Sequence, residues 1–199
     1  MGTFGLAKGP GMGENAGHGK GGEEMLVAVV SDTHGNRAGM ASLAARLQAL
    51  RVGVVLHLGD DYKDIQALAA AGFEVLAVPG VYCPEYARAK PANRRVLELA
   101  GVKMLLSHTP QRHRHDRPGD PDPEAPPPGV KLVLYGHTHV PALEEKEGVW
   151  RLNPGHLRPH QDKGHPPTFA LLDLSRGKVR VSIRRLEDGE VLLEREISV

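Results

Sequence analysis

The segment Gly136-His137-Thr138-His139 sets two histidines one residue apart, directly after an apolar run. Three earlier apolar runs also end in residues of types that bind metals. In open α/β sheets, ligands gather outside the carboxyl ends of the strands, so we expect these side chains to meet at one edge. The four sites together contribute six candidate metal ligands: Asp32, His34, Asp60, His108, His137 and His139.

The ligand types favour transition metals over Mg²⁺ or Ca²⁺, because imidazole nitrogen stands beside carboxylate oxygen. Mn²⁺ is favoured, and Ni²⁺, Fe²⁺, Zn²⁺ or Co²⁺ would also suit the set. Asp32 with His34, and His137 with His139, share an i, i+2 spacing that turns both side chains to one side of an extended segment. Six ligands exceed the need of one open catalytic ion, so a pair of ions is predicted, with Asp60 as the bridge.

A pair of divalent ions predicts hydrolytic chemistry on phosphate esters. Two such ions lower the pKa of a shared water and clamp the entering and leaving oxygens of a phosphoryl group. The sequence therefore predicts in-line hydrolysis of a small phosphoester by a hydroxide that bridges the metals. No catalytic residue beyond the metal ligands is identified.

The spacing of apolar residues predicts one α/β domain with a mixed sheet. In the first half, short apolar runs alternate with helical patterns, which is typical of parallel strands joined by right-handed crossovers. Beyond residue 90, hairpin patterns take over. Strands are expected at residues 25–30, 53–58, 73–78, 130–135, 169–174, 178–186 and 191–197, with hairpins over 96–106 and 143–152.

The amino-acid composition limits the classes of protein to which this chain can belong. The chain has 199 residues with 40% hydrophobic content, enough for one core, which we assign to residues 25–199 after a disordered glycine-rich tail over 1–24. Because 25 Lys and Arg balance 24 Asp and Glu, extended nucleic acid is not an expected partner. The absence of a long apolar run and the single cysteine favour a cytoplasmic protein without a membrane span, and a homo-oligomer is left open.

Several polar residues have competing interpretations. His57 lies within an apolar run and is expected to be a core histidine rather than a ligand. His156, His160 and His165 lie in a proline-rich stretch and are expected to be exposed. The loop over residues 110–129, which carries His113 and His115, is either the lining of a substrate entrance or a solvated insertion.

Five motifs occur in an order that resembles calcineurin-like metallophosphoesterases, in particular the branch of small bacterial and archaeal phosphodiesterases that also contains the retromer scaffold subunit. They are Ser31-Asp32-Thr33-His34-Gly35-Asn36, Leu58-Gly59-Asp60, Ser107-His108, Gly136-His137-Thr138-His139 and Asn153-Pro154-Gly155. The resemblance implies a four-layer sandwich of two mixed β-sheets flanked by helices. It also implies that Asp60 bridges two ions, one held by Asp32, His34 and His139 and the other by His108 and His137.

One position departs from the family pattern. Members of the family usually carry Gly-Asn-His or Gly-Asn-Cys after the third strand, and the asparagine is a ligand of the second ion. Here Val81 follows Gly80, and valine cannot coordinate a metal, so the second ion is expected to bind more weakly. Cys83 is interpreted as a small packing residue rather than a replacement ligand.

Two residues near the motifs are predicted substrate contacts. Tyr82 could donate a hydrogen bond or a proton, and Asn36 could contact phosphate, although an asparagine after Gly35 also suits a turn. The favoured function is a phosphodiesterase, with phosphomonoesters as a second substrate class. The alternative is a protein-binding scaffold that keeps the fold with little or no catalysis.

Overall fold

The computed structural model describes residues 24–88, 90–175 and 177–199, so nearly all of the predicted N-terminal tail lies outside the described residues. Within these ranges the chain forms two α-helices and eleven strands. Their bounds are β1 Met25–Val30, α1 Arg37–Ala49, β2 Val54–His57, α2 Ile65–Ala70, β3 Glu74–Ala77, β4 Arg94–Leu99, β5 Val102–Ser107, β6 Leu132–Leu134, β7 Ala142–Lys146, β8 Val149–Asn153, β9 Thr168–Ser175, β10 Lys178–Arg185 and β11 Val191–Ser198.

The strands form two sheets that pack face to face. The first has the order β11-β10-β9-β1-β2-β3, with β1, β2 and β3 parallel and the others antiparallel. The second has the order β4-β5-β6-β8-β7, with β5, β6 and β8 parallel. Both sheets are therefore mixed, and the predicted α/β fold with two mixed sheets is confirmed.

Strand β1 lies at the centre of the fold and is covered on both faces. Val27 and Val29 belong to the core between the two sheets, whereas Ala28 and Val30 pack towards the helices. A strand that is buried on both faces needs apolar residues at consecutive positions, which explains the continuous apolar sequence of β1. The end of β1 is thereby fixed in place between the sheets and the helical layer.

Both described α-helices cover the outer face of the first sheet. Leu43 and Leu47 of α1 and Leu68 of α2 are fully or almost fully buried there. None of the helices in the described ranges has the length and apolar character needed to cross a membrane.

The proline-rich loop over residues 110–129 covers the outer face of the second sheet. It contains no strand or α-helix, so its carbonyl groups need other donors. Arg151 donates to the carbonyls of Pro110 and Pro123 at 2.6 and 2.7 Å. Arg94 forms a buried ion pair with Asp116 at 2.8 Å. The loop is therefore anchored to the sheet, while many of its side chains stay exposed to solvent.

The Arg94 anchor predicts a large loss of stability in the Arg94→Met variant. This change leaves the buried Asp116 carboxylate without its cation and should lower the free energy of unfolding by about 3 kcal/mol, measured by urea denaturation. The control is Arg95→Met, since Arg95 is more exposed than its neighbour. Equal and small losses in the two variants would contradict the anchoring role.

Candidate metal centre

Four of the predicted ligands form a compact cluster at the end of β1 and β2. The ligand atoms of Asp32, His34, Asp60 and His139 all lie within 4.8 Å of one another. The two Nε2 atoms of His34 and His139 are 3.1 Å apart. His139 Nε2 is 3.2 Å from Asp32 Oδ1, and His34 Nε2 is 3.4 Å from Asp60 Oδ2. Because His139 follows β6, the cluster joins the two sheets.

The remaining two predicted ligands lie on the other side of Asp60. His137 Nδ1 is 3.3 Å from His108 Nε2, and His108 Nε2 is 3.7 Å from Asp60 Oδ1. Asp60 thus turns one carboxyl oxygen towards His34 and the other towards His108. The other five predicted side chains thus form two groups, Asp32, His34 and His139 on one side of Asp60 and His108 and His137 on the other.

The backbone at these residues differs from the expected extended conformation. Five of the six lie in the left-handed region, with φ of 53° for Asp32, 47° for His34, 53° for Asp60, 66° for His137 and 62° for His139. These residues belong to turns that follow the strands. The prediction that each pair of ligands lies on an extended segment is therefore wrong. The turns themselves direct the side chains inward. Such conformations are strained in residues other than glycine and cluster at functional sites.

Two glycines permit the close approach of these turns. A Cβ atom at Gly136 would lie 1.8 Å from Ser31 Oγ and 2.7 Å from Asp32 Oδ2. A Cβ atom at Gly80 would lie 2.3 Å from Asp60 Oδ1. Any side chain at either position would displace a candidate ligand, which is why the motifs need glycine there.

Asp32 is prepared to hold a cation. Its Oδ2 accepts hydrogen bonds from Ser31 Oγ at 2.6 Å and from the backbone N–H of His137 at 2.8 Å. Its Oδ1 is buried, faces the cluster and lies 3.2 Å from Nε2 of His139, which is itself a candidate ligand. Burial alone would raise the pKa of Asp32, but His139, His108 and Ser31 outweigh it and lower the pKa to about 2. An ionised and buried carboxylate oxygen that faces other candidate ligands fits a metal ion.

The histidines also suit metal binding. His108 Nδ1 lies 2.8 Å from the Leu58 carbonyl and can donate to it, which leaves the Nε2 lone pair directed at Asp60. Burial lowers the pKa of His34 and of His137, so both rings are neutral at neutral pH. The hydrogen bond to Asp32 raises the pKa of His139, so cation binding there would compete with a proton.

Asp162 is hydrogen-bonded to His139, and the sequence does not predict this contact. Its Oδ2 accepts a hydrogen bond from His139 Nδ1 and another from Arg158 Nη1 at 3.2 Å. A carboxylate behind a ligating histidine fixes the ring orientation and leaves Nε2 to face the metal. The two residues are 23 positions apart in the chain, and no local pattern connects them.

His156 is fully buried, so the predicted exposure of this residue is wrong. Its Nδ1 accepts from the Arg158 N–H at 3.1 Å, and its Nε2 can donate to the His165 carbonyl at 3.2 Å. The segment turns inward because Leu157 N–H donates to the Asp32 carbonyl at 3.1 Å. The adjacent Asn153-Pro154-Gly155 motif was the available signal. His160 is exposed and His165 is partly buried.

His57 and Asn36 have roles in the protein framework. His57 is fully buried, as expected, and its Nδ1 accepts from Gly59 N–H at 3.2 Å, while burial lowers its pKa to about 4. Asn36 caps helix α1 by accepting from Gly39 N–H at 2.9 Å and donates to the Leu157 carbonyl at 2.7 Å. The structure therefore supports the turn interpretation of Asn36 and gives no support to the predicted phosphate contact.

The turn after β3 contains the three residues whose roles the sequence leaves open, and these residues differ in their exposure to solvent. Val81 is buried, at 4% exposure, and Tyr82 is 70% exposed with its ring centroid 6.4 Å from that of His137. Cys83 is partly buried and lies outside the four-residue ligand cluster, and burial raises the pKa of its thiol. The packing role of Cys83 stays a prediction, and Tyr82 lies beside the candidate centre.

Comparison with known proteins identifies the family. The model of the calcineurin-like phosphoesterase superfamily domain matches residues 25–177. A curated relative from Mycoplasma pneumoniae, named "Probable metallophosphoesterase", is 27% identical over 160 residues that cover 77% of this chain and 92% of the relative.

Two solved structures share the fold. Wild-type Vps29 complexed with zinc from Entamoeba histolytica has a TM-score of 0.61 at 23% identity, over 87% of this chain and 99% of that one. A structure described as a novel archaeal phosphodiesterase has a TM-score of 0.58 at 20% identity, over 88% of this chain and 100% of that one.

Removal of the carboxylate behind His139 should weaken metal binding without removing a ligand. We expect Asp162→Asn to lower the affinity for Mn²⁺ or Zn²⁺ by about 10- to 100-fold, measured by calorimetric titration, because His139 loses its orienting partner. Asp173→Asn, an exposed change on β9, is the control and should leave the affinity unaltered. An Asp162→Asn protein with native affinity would rule out this role.

Proposed function

This chain belongs to the calcineurin-like phosphoesterase superfamily, and on that basis we propose that it is a metal-dependent hydrolase of small phosphodiesters, with phosphomonoesters as a second substrate class. The observation that carries the proposal is the position of Asp60. Its Oδ2 is 3.4 Å from His34 Nε2 and its Oδ1 is 3.7 Å from His108 Nε2, so a single carboxylate faces both groups of candidate ligands.

We assign the six residues to two metal sites. Asp32, His34 and His139 hold the first ion, His108 and His137 hold the second, and Asp60 bridges them. Manganese is the favoured metal, and zinc, nickel, iron or cobalt suit the same ligands. When bound, two such ions activate a water nucleophile and neutralise the charge of the phosphoryl group.

The exposure of the side chains defines the side from which a substrate approaches. Asp32 and His108 are closed to solvent, whereas the side chains of His34 and Asp60 are 27% and 18% exposed. A phosphate can therefore reach the centre across Asp60 and His34 but not through the strands behind it. Tyr82, on the same open side as His137, is the candidate contact for the ester group.

The first test is turnover. Protein reconstituted with Mn²⁺ should hydrolyse bis(p-nitrophenyl) phosphate. Asp60→Asn should reduce kcat/KM by about 100-fold or more, because removal of a metal ligand should lower activity more than removal of a residue that only orients a ligand. Asp61→Asn removes the same charge from the next, exposed residue and should keep most of the activity. Absence of turnover with each of Mn²⁺, Ni²⁺, Co²⁺ and Zn²⁺ would refute the proposal.

The second test concerns Val81. Because the expected asparagine ligand is missing, metal titration should be biphasic, with the second ion weaker than the first. Val81→Asn should tighten the second phase by about tenfold and leave the first unaltered. Two equally tight sites in the native protein would contradict the assignment.

A scaffold function is the alternative, and the similarity in fold to Vps29 together with Val81 favours it. The full set of six remaining ligands counts against it, because a scaffold has no need of them. Asp60→Asn separates the two functions, since an enzyme loses turnover while a scaffold keeps its partner. The cytoplasmic location and the homo-oligomer stay predictions from the sequence.

A further inference from the structure

Tyr82 is the one exposed aromatic residue in the described part of the chain. Its 70% exposure compares with 38–43% for the other exposed large apolar residues. The ring neighbours two imidazoles, with its centroid 6.4 Å from that of His137 and 6.3 Å from that of His113. These separations lie within the range of ring–ring contacts.

The turn that carries Tyr82 is fixed against the metal centre. Gly80 packs directly on the Asp60 carboxylate, and the N–H of Cys83 donates to the Gly80 carbonyl at 2.9 Å. Val81 is buried, at 4% exposure. The backbone on both sides of Tyr82 is therefore held, and the ring is presented outward beside the centre.

A single buried carboxylate positions the opposite ring. Asp116 accepts a hydrogen bond from Tyr86 Oη at 2.5 Å and another from the N–H of His113 at 2.8 Å. Tyr86 belongs to the short 3-10 helix Pro84–Ala87, which directly follows the Tyr82 turn. Asp116 thus connects the turn of Tyr82 to the loop of His113, and Arg94 neutralises its charge at 2.8 Å.

We infer that Tyr82 and His113 form a binding site for an aromatic group on one ester arm of the substrate, either a nucleobase or an aryl ring. This inference rests on the proposed function, in which the phosphoryl group lies at the metal centre next to His137. The planar ring of the ligand stacks on the exposed face of Tyr82. His113, in the loop over residues 110–129, borders the same site. Stacking of one ring on an aromatic side chain changes affinity by about tenfold.

The test compares probes that differ only in the aromatic group. Phenylphosphonate and methylphosphonate cannot be hydrolysed at the phosphorus–carbon bond, and both present the same anion. The methylenephosphonate analogues of adenosine 5′-monophosphate and ribose 5-phosphate, which also lack a hydrolysable ester bond, form the second pair and separate a nucleobase from an aryl ring. Affinities are measured by calorimetry on the full Mn²⁺-loaded chain, and the ratio within each pair cancels changes at the metal centre.

The native protein should prefer the aromatic member of at least one pair by about tenfold. Tyr82→Ala should reduce that ratio to within about twofold of unity, His113→Ala should reduce it in part, and Tyr82→Phe should preserve it. A native ratio near unity in both pairs, or a ratio that survives Tyr82→Ala, would overturn the inference.

The aromatic binding site and the hydrolase activity can be refuted independently of each other. Turnover of a phosphodiester without any aromatic preference would overturn the binding site and leave the hydrolase intact. An aromatic preference in a protein that hydrolyses no phosphoester would support the binding site and refute the hydrolase.

Discussion

The Asp60 carboxylate is the point on which the arrangement of the centre depends. It lies at the end of β2, next to β1 in the first sheet, and it faces His34 with one oxygen and His108 of the second sheet with the other. The two sheets must therefore pack in one fixed register for the ligands to meet. The apolar core between them, which contains Val29, Leu56 and Leu106, maintains that register.

The turns at the strand ends are strained, and the surrounding structure stabilises them. Left-handed conformations at residues other than glycine cost about 1–3 kcal/mol each, so they persist only where neighbouring contacts hold them. Asp32 N–H donates to the Gly59 carbonyl at 3.0 Å, and Thr33 Oγ1 donates to the Asp60 carbonyl at 3.0 Å. These bonds tie the β1 turn to the β2 turn, so the two carboxylates keep their positions relative to each other.

The sequence was sufficient for the parts of the structure that depend on local pattern. The continuous apolar run of β1 and the hairpin of β4 and β5 were visible as patterns, and the ordered motifs were sufficient to propose the ligand set. The sequence did not indicate the conformation of His139 or its contact with Asp162, because both arise from packing between segments that are distant in the chain. The anchored loop was missed for the same reason, since Arg94 reaches Asp116 only in the folded protein.

The central claim is that one carboxylate joins two metal sites, and diffraction from Mn²⁺-soaked crystals tests it most directly. An anomalous difference map recorded near the manganese edge should contain two peaks, one on each side of Asp60 and roughly 3.5–4 Å apart. The peak beside His108 and His137 should be the weaker. A single peak enclosed by Asp32, His34 and His139, or a map without peaks at Asp60, would contradict the account.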